Sequence, residues 1–286
     1  MNEFLSALSN TDIPFLRYAF IAGILSSAAF GVTGTYIVVR RISYLAGAIS
    51  HSVLAGIGFA VFLQDRYGIT WFTPLTGAWI SAILAALIIG LVNVYARQRE
   101  DTTIGAIWAV GMATGLAFLS GTSSYVDPMS YLFGNILLIT RTDLILISVL
   151  DLLVVFLGLL FYHQFLAVSF DEEFSRARGL PAGFYYLILL FLTAMTVVLM
   201  VTIVGIVMVI ALLTLPAAVA GLFSRHLWQM ILFSSLLCIM FTSVGIGVSY
   251  ITDLPTGATI ILLAGGVYLL ALVVKLTASK IQFSKH

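Results

Sequence analysis

The sequence predicts an all-α protein, a polytopic bundle of about eight to nine transmembrane helices with one short helix on a cytoplasmic loop. Three observations predict it. Hydrophobic residues make up 61% of the 286 and charged residues 9%, against about 25% charged in a soluble domain. The charges are clustered, and many apolar runs between them reach the ~20 residues that a helix needs to cross ~30 Å of hydrocarbon. Those runs are continuously apolar, whereas barrel strands would alternate over ~10-residue segments.

The charges divide the chain. The first span, 15–39, is closed by Arg40 and Arg41. The second, 42–63, is followed by a loop with Asp65 and Arg66, and the third, 75–95, by the charged run 97–101. The fourth is 104–121 and the fifth 144–165. Between these two, 125–140 is too short and too turn-rich (Asp127-Pro128, Gly134-Asn135) to cross alone, and it reads as an outer loop with a short helix against the bundle. Residues 184–223 form one apolar stretch. As a single helix it would run ~60 Å at 1.5 Å per residue, twice the bilayer core, so the chain must turn back within it. Gly205 lies near its midpoint, giving a sixth span 184–204 and a seventh 206–223. Pro216 breaks the second of these. Backbone freed by a break must face protein or a water-filled cavity, never lipid. Residues 205–220 are therefore a candidate path lining, with a tight outer hairpin and a plain proline kink as the alternative. The eighth span is 228–250 and the ninth 258–274. Eight spans plus a re-entrant segment fit the same runs. The whole chain reads as one transmembrane domain.

Net charge is +1, which gives no case for a nucleic-acid partner. The single cysteine, Cys238, rules out an intrachain disulfide. The N-terminus has no basic residue before Arg17 and lacks the positive region of a cleaved signal peptide, so the first run is expected to remain a helix. With nine spans and the N-terminus outside, the cytoplasmic side holds Arg40, Arg41, Arg97, Arg99, Arg176, Arg178, Arg225, Lys275, Lys280 and Lys285; Arg17, Arg66 and Arg141 lie outside. That bias sets the expected orientation, with a cytoplasmic C-terminus. No Gly-x-x-x-x-Gly-Lys-Ser/Thr loop occurs, so ATP hydrolysis in that manner needs another chain. No nucleophile–base constellation stands out, and an intramembrane enzyme is not expected.

Two segments invite a function. Residues 171–180 begin with Asp171, Glu172 and Glu173 and continue to Arg176, Arg178 and Gly179, with Pro181 next. Acids at the start and bases at the end complement a helix dipole, and Gly followed by Pro ends the helix. This is a self-capped cytoplasmic helix, either a plain connection or a docking element. The second segment holds His51, well inside the second span. An ionisable group at that depth is a functional candidate by default. Gly47, Ala55 and Gly58 share its face, which leaves room for an ion, a water or a closely packed helix. Neutral imidazole is a common ligand for zinc and other transition metals. Asp151 is the other charge inside a span. Asp127 and Asp253 sit at outer ends, as entrance groups or as turn formers. His163, His226 and His286 receive no role.

Taken in order, several motifs resemble the ABC-3 family, the permeases of zinc, manganese and iron ATP-binding-cassette importers. They are Arg40-Arg-Ile-Ser-Tyr-Leu-Ala-Gly-Ala-Ile-Ser-His51, Tyr131-Leu-Phe-Gly-Asn135, Asp171-Glu-Glu-Phe-Ser-Arg-Ala-Arg-Gly-Leu-Pro181, Val204-Gly-Ile-Val-Met-Val-Ile-Ala-Leu-Leu-Thr-Leu-Pro-Ala-Ala218 and Asp253-Leu-Pro-Thr-Gly257. The resemblance implies a homodimeric permease in a bacterial-type inner membrane. It implies a cytoplasmic ATPase docked on 171–180 as coupling helix, and an extracytoplasmic metal-binding protein. The metal, zinc first and manganese or iron next, is cargo; no permanently bound cofactor is expected. His51 stands where the family places an ion contact. Many members carry aspartate four residues earlier, where this chain has Gly47. A second His51, Asp151 or backbone carbonyls would then complete a loose site. A permease for a chelated metal or cobalamin-type ligand, and a non-transporting receptor or scaffold, are the competing readings.

Overall fold

The computed structural model describes residues 14–96, 100–123, 132, 134 and 139–283. Eleven helices follow in order: α1 Pro14–Val39, α2 Tyr44–Tyr67, α3 Pro74–Leu91, α4 Glu100–Ser120, α5 Arg141–Leu160, α6 Tyr162–Phe170, α7 Glu172–Ala177, α8 Ala182–Val204, α9 Ile206–Phe223, α10 Leu227–Thr252 and α11 Thr256–Phe283. A π-helical turn, Val92–Ala96, prolongs α3. Among the described residues nine of these helices are long and apolar enough to cross a membrane; α6 and α7 are not among them. The fifth span is shorter than the sequence suggests. It ends at Leu160, and Phe161 separates it from α6. Most of the expected outer loop, including Asp127, lies outside the described residues.

The sixth and seventh spans meet at Gly205 alone. Its φ of 85° and ψ of 161° lie in a region that only glycine enters freely. The chain reverses there, as neighbours at the far ends show. Gly183 and Leu187 of α8 pack on Val94 and Gly90, while the other end of α9 packs Ala217 and Ala220 against Val38 and Val39 of α1. Gly134 lies against the turn, and a Cβ there would run into the Val204 and Gly205 backbone. Pro216 is buried within α9, which continues through it. The proline frees the carbonyl four residues earlier, and the Cys238 thiol donates to that Leu212 oxygen at 3.5 Å. The break is thus satisfied inside the protein.

Four helices, α1, α2, α8 and α9, are mostly buried; α4, α5, α10 and α11 turn broad apolar faces outward. Leu152, Phe156, Leu262 and Leu270 are more than half exposed, which is the composition of a lipid-facing surface. Exposed aromatics form two belts, with Tyr44, Tyr95, Phe170 and Trp228 at one end and Tyr67 and Trp71 at the other, as at membrane–water boundaries. Small residues let the helices approach: Gly56 of α2 meets Gly77 of α3, and Gly58 meets Gly115 of α4. Such contacts bring van der Waals surfaces together where lipid supplies no hydrophobic drive between helices.

Candidate functional site

His51 is 8% exposed on α2. Its ring stacks on Trp108 of α4, with centroids 5.0 Å apart and planes 25° from parallel. Its Nδ1 is buried without a hydrogen-bond partner. The space expected beside His51 is filled by a close helix. A Cβ built on Gly47 would overlap the Trp108 ring, and one on Gly111 of α4 would press on Ser52. Asp151 is 7% exposed on α5. It faces the α1 backbone at Ala29, and neither carboxylate oxygen has a hydrogen-bond partner by distance and angle. The helices α2 and α5 barely touch, so the two ionisable groups occupy separate interfaces. Among the described residues no three His, Cys, Asp or Glu side chains converge to hold a metal. Asp253 caps α10 in the left-handed region with φ 54°, where a turn former belongs.

The helix expected at 171–180 is α7, and its caps are those the residues call for. The Asp171 carboxylate accepts from the Phe174 N–H at 2.8 Å. Gly179, at φ 81°, donates to the Arg176 carbonyl, and Leu180 donates to Ser175. That pair of bonds is a Schellman ending. The helix has two faces. Inward, Glu172 accepts from Arg40 at 2.5 Å and from Arg176 at 2.5 Å. Arg40 also donates to the Val168 carbonyl at 2.9 Å and lies 4.1 Å over the Tyr186 ring, whose hydroxyl donates to Glu100 of α4. One guanidinium thus joins α1, α6, α7 and α8. Outward, Glu173, Phe174 and Arg178 are exposed, with the Arg178 guanidinium 5.0 Å above the Phe174 ring.

Among the described residues, nine helices able to span a membrane and a capped helix between the fifth and sixth form the bundle, and the sequence that builds it matches a known family. Residues 12–275 match the ABC 3 transport family. The chain belongs to that family. A relative in Chlamydia pneumoniae, named a probable metal transport system membrane protein, is 39% identical over 95% of this chain and 93% of its own. The manganese transport system membrane protein MntC of Listeria innocua is 35% identical over 90% and 89%. Among solved structures, PsaBC from Streptococcus pneumoniae in complex with Fab is 30% identical, with a TM-score of 0.80 and 94% of each chain covered.

Within this ABC 3 protein, sequence reasoning missed three residues. Trp108 lies in an unbroken apolar run and carries no motif signal. Arg40 reads as one of two charges closing a span, although its carboxylate partner is 132 residues away. Phe174 sits among charges, and a lone aromatic in such a run is the signal that could have singled it out.

Proposed function

We propose that this chain is the membrane-spanning permease of an ATP-driven importer of divalent metal ions. The resemblance of the whole chain to PsaBC and MntC supports the class. The observation that carries the ion path is His51, a membrane-embedded imidazole with an unpartnered nitrogen on a helix gripped from two sides. Imidazole suits zinc, manganese favours oxygen ligands, and the MntC relatives are named for manganese; zinc and manganese are both assigned as cargo, with iron third. Transport needs only passing coordination, because the ion must leave. Asp151 stands against α1 on a separate interface, and the break at Pro216 is closed by Cys238, so neither is assigned to the His51 contact. Replacing His51 with Ala is expected to lower metal uptake at least tenfold, no less than the loss of an outer-shell partner of a metal ligand costs, while the ATPase stays bound. Metal-resolved uptake in cells lacking their own importers, with co-purification alongside, checks this. Undiminished uptake removes His51 from the path.

In this reading the Arg40 end of the bundle faces the cytoplasm of a bacterial-type inner membrane, and α7 receives the separate ATPase. An extracytoplasmic binding protein delivers the ion at the other end, and a second copy of the permease completes the assembly. Glu172 is held inward by Arg40, so docking falls to Glu173, Phe174 and Arg178. Glu173→Lys combined with Phe174→Ala is expected to release the ATPase while leaving the bundle's thermal stability within about 0.5 kcal/mol, as for exposed substitutions. Full co-purification with full stimulated ATP turnover would sink the docking assignment.

A further inference from the structure

We propose that Trp108 determines ion preference in this permease by occupying the position a second ligand would need. The inference rests on the assignment of His51 to the ion path. On one helical face, only positions three or four residues away stand beside a given side chain. Two ligands sharing an ion from α2 therefore call for a donor at 47 or 48, 54 or 55. All four are apolar or glycine, and Gly47, Ala48 and Leu54 are buried. At 47 the room is taken: a Cβ would fall on the six-membered ring of Trp108, at Cζ3 and Cη2. The same indole stacks on the His51 imidazole.

A stacked ring covers the face of an imidazole, whereas a metal binds its nitrogen in the ring plane. Trp108 therefore fixes the plane of His51, whose buried Nδ1 has no protein partner. It also leaves no room for a carboxylate side chain at position 47. The outcome is an ion contact of nitrogen alone beside an aromatic wall. Such a contact favours zinc over manganese, which prefers oxygen ligands. Trp108 is a positioning residue toward His51 and an excluder toward position 47.

The test exchanges volume between the two positions. Four variants, Gly47→Asp, Trp108→Ala, Gly47→Asp with Trp108→Ala, and Trp108→Phe, are compared with the parent permease in complex with its ATPase. Thermal unfolding is measured on each complex, together with cellular uptake of zinc and manganese in competition. Gly47→Asp alone is expected to lower the unfolding temperature, because the aspartate and the indole cannot coexist. The double variant is expected to lose less stability than the two single losses sum to. The double variant is expected to raise the manganese-to-zinc uptake ratio about tenfold, within the range produced by changes around a metal site. Trp108→Phe keeps a stacking ring and is expected to hold the parent ratio. A Gly47→Asp chain as stable as the parent overturns the exchange. An unchanged ratio in a well-folded double variant overturns the assignment of preference. His51→Ala, measured in parallel, separates the layers. Lost uptake there with an unchanged ratio in the double variant overturns the role of Trp108 alone, whereas normal uptake there with an unchanged ratio overturns the His51 path as well.

Discussion

Arg40→Ala is expected to destabilise the protein by about 2 kcal/mol, the range for losing hydrogen bonds to a charged group, because Glu172 keeps its pairing with Arg176. The side chain is only 9% exposed. Its removal frees the Glu172 carboxylate from its inward tie, leaves the Val168 carbonyl without a donor and uncovers the Tyr186 ring. The cation–π contact alone is worth about 1 kcal/mol. Arg40→Lys is expected to recover less than half of the loss. A compact ammonium cannot bond two acceptors in divergent directions and lie flat on a ring, which a planar guanidinium does. Thermal unfolding of the purified protein measures the stability. The functional consequence follows from the same geometry. Glu172 connects α7 to α1, and Tyr186 connects α8 to Glu100 at the start of α4, the helix that carries Trp108. With Arg40 gone, ATP turnover is expected to lose its dependence on metal delivery while the ATPase still binds through Glu173, Phe174 and Arg178. An Arg40→Ala variant with parental stability and parental coupling would falsify this account.

Gly205→Ala is expected to cost about 2 kcal/mol through backbone strain alone, since a Cβ is barely tolerated at φ 85° and ψ 161°. The whole reversal between α8 and α9 passes through this one residue, so no neighbour can absorb the change. Gly134→Ala is expected to be at least as costly, because its φ of 61° is left-handed and its Cβ would meet the backbone of the same turn. Val207→Ala, just inside α9, is the control. It leaves the turn geometry untouched and is expected to stay within about 1 kcal/mol of the parent. Unfolding temperatures of the three variants, measured side by side, decide. Equal values for Gly205→Ala and Val207→Ala would remove the strain argument.

The amino-acid sequence by itself determined the features whose physics is local. Runs of about 20 apolar residues specify spans wherever backbone hydrogen bonds must close within the segment. Asp171 and Gly179 specify the two ends of α7, because a cap is a bond between residues a few positions apart. Gly205 specifies a reversal because the length of the stretch requires one and only glycine makes it in a single residue. What stands beside what was decided by the tertiary structure. In a lipid-facing bundle nearly every helix is apolar all round, so no periodicity in the sequence marks the face that meets a neighbour. Lateral order is then set by the fit of side chains between helices. That fit put Trp108 over Gly47 and His51, held Asp151 on a different interface, turned Glu172 inward and Glu173 outward on one short helix, and brought Cys238 to the carbonyl that Pro216 frees. Apart from the split within α7, each is a contact between residues distant in the chain. The identity of such a partner is carried by the volume and hydrogen-bonding left open by the packed helices, which no local pattern encodes.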